Sequence, residues 1–150
     1  VHIHADPNYY DLGACGPLRK DLANRPRYCG MFKAPTLRNV AVRRSFYHNG
    51  IFHTLEEAVA FYATRDTNPG RWYPKGPDGQ VQKFNDLPAP YRANIDVEPP
   101  FDRKPGDAPA LSDEDVADVV AFLRTLTDGF IPPGAPARQT VATAVIERGR

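Results

Sequence analysis

The residues best able to do chemistry in this chain are few and scattered. Cys15 and Cys29 are its two cysteines, 14 positions apart in a stretch rich in glycine, proline and arginine. Neither sits in a C-x-x-C metal or redox motif, nor in the C-x-x-C-H that attaches haem covalently. A disulfide is the simplest pairing, and two unpaired thiols the alternative. Closing a loop of this size adds roughly 3 kcal/mol by the chain-entropy account, and a disulfide implies an oxidising compartment. His2 and His4 alternate in V-H-I-H, a spacing that can chelate a metal but more often leaves both imidazoles in water.

The elements that must position such groups begin with two helices. Thr54-Leu55-Glu56-Glu57 is a capping box, in which the Thr54 hydroxyl takes the N3 amide and Glu57 reaches back to the Thr54 amide. Leu55, Ala58, Val59 and Tyr62 follow at i, i+3, i+4, i+7 as one apolar face, predicting a helix over about 54–64. A second helix is predicted over about 113–127. Ser112 is its N-cap, Asp115 completes the box, and Asp113, Glu114 and Asp115 suit the positive end of the helix dipole. Val116, Val119, Val120, Leu123 and Leu126 form its buried stripe, with Phe122 widening it and Gly129 stopping it.

The rest reads as loop. Residues 1–30 are irregular, Thr36–Asn39 after Pro35 can make one helical turn, and His48-Asn49-Gly50 is a turn. Residues 66–110 hold prolines throughout and no sustained periodicity. Their aromatics, Trp72, Tyr73, Phe84, Tyr91 and Phe101, indicate a loop that packs down on something. Residues 131–150 read as a flexible tail.

Composition narrows the function. The 150 residues are a prior for one domain, and the 16 prolines exclude a long helical bundle or a regular sheet. A formal charge of +1 argues against a nucleic-acid binder. No apolar run is long enough to span a bilayer, and no signal segment opens the chain. A small, mostly α, loop-rich domain with two main helices has little core for its length, and needs a cofactor, disulfide or partner to hold its shape.

Four motifs in order then carry a resemblance. Phe32-Lys33-Ala34-Pro35-Thr36-Leu37-Arg38-Asn39-Val40 resembles the F-K-x-P-T-L-R-N-V of bacterial di-haem cytochrome c peroxidases and their MauG-like relatives. Phe46-Tyr47-His48-Asn49-Gly50 resembles their Y-F-H-N-G, and Thr54-Leu55-Glu56-Glu57-Ala58-Val59 their T-L-E-E-A-V. The stretch from Leu111-Ser112 to Thr125-Leu126 resembles their closing helix. The resemblance implies a cytochrome c-like C-terminal domain fragment over residues 1–130. The family's C-x-x-C-H segments would lie before Val1, so the chain by itself is expected to be inactive.

The resemblance further implies a periplasmic protein with haem c, whose N-terminal haem meets hydrogen peroxide. The C-terminal haem takes electrons from a small electron-donor protein. In the peroxidases a methionine at the ninth position of T-L-E-E-A-V-x-x-M ligates that second haem. Counting from Thr54, the ninth position here is Tyr62, as in MauG-like enzymes, and Met31 lies far away in sequence. Thioether sulfur favours ferrous iron, whereas a hard anionic phenolate favours ferric and higher states. Tyr62 is thus the candidate axial ligand, and a core tyrosine is the plain alternative. A MauG-like oxidase acting on a protein substrate through high-valent iron is therefore one alternative function. An electron-transfer or docking module without its own catalysis is another, and a remnant domain without haem a third. His48 is a candidate for a propionate, a proton-transfer step or the turn itself. Arg38 suits a propionate or a surface salt bridge. Family calcium would fall to backbone carbonyls of Arg43 and Ser45, although two adjacent arginines disfavour a dication. Trp72 and Tyr73 invite a redox-relay reading, with packing of the loop the better one.

Overall fold

The computed structural model describes residues 9–130. His2, His4 and the 131–150 tail lie outside the described residues. Two α-helices dominate: α1, Leu55–Thr64, and α2, Asp113–Thr125. Short 3₁₀ turns at Pro26–Tyr28, Val40–Val42, Pro69–Arg71 and Ala89–Asn94 punctuate the remainder. Among the described residues β pairing is limited to isolated bridges, such as Phe46 with Phe52.

Both helices start where their side chains answer the orphan amides of a first turn. Glu57 N–H donates to Thr54 Oγ1 (3.1 Å) while Thr54 N–H donates to the Glu57 carboxylate (3.2 Å). His53 N–H donates to the same carboxylate, and these bonds hold the Glu57 carboxyl below its usual range, the His53 amide contributing most. At α2 Asp115 N–H donates to Ser112 Oγ (3.1 Å), and Ser112 N–H returns a bond to Asp115 (2.9 Å). The second helix ends at Thr125, just short of the expected 127, because Leu126 leaves the helical region as its C-cap.

The core is the seam between α1 and α2. Leu55 and Val59 meet Val120 and Leu123, with Val40 sealing one end. Val116, Val119 and Leu126 pack against this cluster as their spacing predicts. Two residues assigned to the apolar stripes depart from them: Phe122 is 59% exposed and Tyr62 45% exposed. Neither helix is covered all round, and these two positions lie at the margin of the covered face.

The helical turn expected at Thr36–Asn39 forms instead at Val40–Val42, because Asn39 is left-handed (φ 58) and stands before it as N-cap. Asparagine tolerates that conformation better than most residues. From there Asn39 N–H donates to the Leu126 carbonyl (2.9 Å), and its side chain accepts from Asp128 N–H (2.9 Å). The L-R-N stretch therefore satisfies the open carbonyl end of α2.

The long 66–110 segment is built rather than loose. Ala110 N–H donates to Ala63 O, and Trp72 Nε1 donates to Thr64 Oγ1, both 3.0 Å, tying it to the end of α1. Asn94 Nδ2 donates to the carbonyls of Pro26 (2.8 Å) and Cys29 (2.9 Å). Those carbonyls belong to the loop closed by the Cys15–Cys29 disulfide. Gly13 pairs with Met31 just outside that loop, at φ +58, where a Cβ would collide with the Met31 carbonyl oxygen.

Candidate functional site

α1 presents Tyr62 one turn after Ala58. Its ring lies 5.3 Å from that of Phe101, stacked at 29°, and 5.6 Å from that of Tyr47, tilted at 30°. Nearly half of Tyr62 nevertheless remains open to solvent. The expectation of a buried ring is corrected: the phenol rests on two aromatic neighbours at the edge of the domain.

Tyr47 is fixed from several directions. Its hydroxyl donates to Ala58 O (3.2 Å), the α1 carbonyl one turn below Tyr62. Its ring meets Phe52 and Phe61 edge-on, each at 5.2 Å. Its backbone is left-handed at φ 65, a strained state for an aromatic residue that persists only where surrounding contacts over-determine it. Burial pushes the Tyr47 phenol far above its ordinary range, and the Tyr62 hydroxyl beside it adds to the effect, so Tyr47 stays protonated.

Phe101 is held by charge. The Arg65 guanidinium lies 3.8 Å from the Phe101 centroid and 5.2 Å from that of Phe84. Arg65 and Asp66 are each only 6% exposed. Arg65 Nε donates to Asp66 (2.7 Å) and Nη2 to the Asp96 carbonyl (2.9 Å), while Lys83 Nζ takes the other Asp66 oxygen. A buried charge of this kind is tolerable because it is paired and hydrogen-bonded.

Tyr47 lines a cavity of about 390 Å³, together with the rings of Phe52, Phe61, Trp72 and Tyr73. Burial raises the Tyr73 phenol, with the Arg65 charge opposing. Trp72 stands edge-on to Phe52 and Phe61, and carries the Arg71 guanidinium 4.4 Å from its ring. A cation there disfavours removing an electron from the indole, which supports packing over a relay.

Of the remaining sequence candidates, His48 lines the same cavity, together with Asp11, Phe32 and Asp86. His48 stacks on Phe32 at 3.9 Å, with Asp11 at 3.4 Å from Nδ1 and Asp86 at 3.9 Å from Nε2. These contacts join the turn that carries His48 to three other segments of the chain. Arg38 Nε (2.7 Å) and Nη2 (2.5 Å) both reach Asp128 Oδ2 at the surface, holding the Asp128 carboxyl at about 2. Arg43 donates to Thr36 O (3.3 Å), and the Arg44 carbonyl lies 3.1 Å from His53 Nδ1. The ring neighbours of Tyr62 are Tyr47 and Phe101, not His48, Arg38, Arg43 or Ser45, and the sequence reading did not single out either of them. Tyr47 lies inside the F-Y-H-N-G motif, so its motif membership was a usable signal. Phe101 had none beyond being aromatic.

These residues suit a haem iron in one specific way. Tyr62 offers a single hard oxygen donor, steadied by two rings and accessible from solvent. Cys15 and Cys29 are bonded to each other, so neither thiol is available to attach a porphyrin. Among the described residues, Tyr62 is thus the oxygen donor that would fit a haem iron.

Two capped helices with long tied loops and no named strand among the described residues make a cytochrome c-like domain. No family model matches the chain. It is 34% identical over 113 residues to methylamine utilization protein MauG of Paracoccus denitrificans (strain Pd 1222), covering 72% of this chain and 26% of that protein. It is 40% identical over 76 residues to cytochrome-c peroxidase IdrP1 of Denitromonas iodatirespirans, covering 49% of this chain and 20% of the relative. The solved diheme peroxidase BthA of Burkholderia thailandensis E264 superposes with a TM-score of 0.72 at 45% identity, over 84% of this chain and 30% of that one. A BthA variant with one tyrosine replaced by methionine superposes equally, at TM-score 0.72. The chain belongs to the di-haem cytochrome c peroxidase and MauG-like family. It spans about a quarter or less of the length of the curated relatives it matches.

Proposed function

We propose that this chain forms the distal side of the electron-transfer haem in a periplasmic di-haem c-type peroxidase. The full protein reduces hydrogen peroxide with electrons from a small donor protein, and the N-terminal haem-bearing portion of the same protein is this domain's partner. Haem c, when bound, supplies the electron storage and the peroxide chemistry. The observation that carries the reading is Tyr62, an oxygen donor at the family's ligand position, steadied by Tyr47 and Phe101 and nearly half exposed.

This chain's residues have separable tasks in that scheme. Tyr62 would give its phenolate oxygen to the haem iron, a ligand that favours the oxidised state. Tyr47 stays protonated and fixes the α1 turn below it through Ala58 O. His48 holds the turn against Asp11, Phe32 and Asp86, and Arg38 holds the end of α2 through Asp128. Calcium, where the family binds it, would use backbone oxygens of Arg43 and Ser45, against the opposing charge of two arginine side chains. The Cys15–Cys29 disulfide supports an oxidising compartment. Among the described residues no helix is long and apolar enough to cross a membrane.

A MauG-like oxidase acting on a protein substrate is the second reading, favoured by tyrosine rather than methionine at position 62. The test is Tyr62→Phe and Tyr62→Met in the full haem-loaded protein. The first should open a coordination site seen in the ferric visible and electron-paramagnetic spectra, and the second should raise that haem's reduction potential. Spectra and potentials identical to the parent's would overturn the ligand assignment. Steady-state peroxide turnover with a donor cytochrome, set against oxidation of a protein substrate, separates the two readings.

A further inference from the structure

We infer that Tyr47 and Phe101 are positioning residues for Tyr62, holding its ring so that its oxygen meets the haem iron along one direction. This rests on the reading of Tyr62 as the axial ligand and assigns a task to the long 66–110 loop, that of delivering Phe101. A half-exposed tyrosine on a helix ordinarily retains side-chain freedom, and that freedom must be given up when its oxygen binds a metal. Here it is given up in advance. The Phe101 ring stacks on Tyr62 at 5.3 Å and 29°, and the Tyr47 ring lies against it at 5.6 Å and 30°.

Neither neighbour is itself free to swing. Phe101 carries the buried Arg65 guanidinium at 3.8 Å, and that guanidinium is tied to Asp66 and to the Asp96 carbonyl. Tyr47 is tied through its hydroxyl to α1 and through its ring to Phe52 and Phe61. Its left-handed backbone is the kind of strain that surrounding structure maintains at a working site. The support thus reaches Tyr62 from two unrelated segments, the 46–50 turn and the end of the long loop. Binding sites need this sort of second layer, because ligand geometry is lost when the supporting residues are loose.

The experiment uses the full haem-loaded protein and reads the ferric spin state and the reduction potential of the tyrosine-ligated haem. Replacing the ring by Phe101→Leu removes an aromatic pair, and should raise the ratio of tyrosine-free to tyrosine-ligated ferric haem roughly five- to tenfold. Phe101→Tyr, which restores a ring, should return the parent's spectrum. A merely structural Phe101 would lower the melting temperature and leave the spectrum of folded protein unchanged. Phe101→Met, of similar volume, is read in place of Phe101→Leu if the latter loses haem. An unchanged spectrum in whichever variant keeps the parent's haem content overturns the positioning role, even where Tyr62→Phe alters the haem. An unchanged Tyr62→Phe spectrum overturns both this inference and the ligand reading beneath it.

Discussion

Replacing Asp66 by asparagine removes the carboxylate charge from the pair beneath Phe101 while keeping its shape. In the native chain the Asp66 oxygens are shared between Arg65 and Lys83, with Arg65 and Asp66 each 6% exposed. Breaking a buried pair by removing one partner costs about 3–5 kcal/mol, because the other charge stays buried without compensation. Two features reduce that cost here. The Lys83 side chain is 30% exposed and can turn its ammonium to water. Arg65 keeps the Asp96 carbonyl and the faces of Phe84 and Phe101, whose cation–π attraction is worth about 1–2 kcal/mol when desolvated. The net expectation for Asp66→Asn is a loss of about 2–3 kcal/mol. With a urea slope of about 2 kcal/mol/M, the unfolding midpoint followed by far-ultraviolet circular dichroism should fall by about 1–1.5 M. A double variant, Arg65→Leu with Asp66→Leu, should recover most of that loss, because well-packed apolar residues can replace a buried pair at little cost. A shift below about 0.25 M for Asp66→Asn would refute the view that Asp66 compensates a buried guanidinium.

Three other outcomes are expected. Val120→Ala should destabilise by about 2 kcal/mol, since Val120 is 2% exposed in the α1–α2 seam, while Phe122→Ala on the open side should stay within about 0.5 kcal/mol; thermal melting of the two compares them. Titrating thiols in the unfolded, unreduced chain should find none, and reduction should lower stability by about 3 kcal/mol. The Asp128 carboxyl titrates at about 2 when folded, below its unfolded value of 3.8, so its stabilisation is complete above the unfolded value and is lost as pH falls towards 2. Urea midpoints measured across that window should decline less steeply in Asp128→Asn than in the parent, and equal slopes would show that the Arg38 contact carries no linkage.

Local chemistry was legible in the sequence. The T-L-E-E and S-D-E-D boxes set the helix starts because capping involves residues three apart, whose side chains reach each other's amides without help from the rest of the chain. The core residues Leu55, Val59, Val120 and Leu123 were likewise readable, since a 3.6-residue period puts them on one stripe. The cysteine pairing and the four ordered motifs that gave the family needed only residue types and spacing. What lay beyond the sequence depends on which segments meet. Periodicity put Tyr62 and Phe122 on apolar faces but could not say how wide a strip the opposing helix covers, and both prove half or more than half open. The Val40–Val42 turn moved because Asn39 bonds to Leu126, far along the chain. Phe101 reaches Tyr62, and Arg65 finds the Asp96 carbonyl, only through the path of a proline-rich loop without periodicity. Such contacts are chosen by packing and by the need to pair buried polar groups, quantities that exist only once the chain has closed on itself.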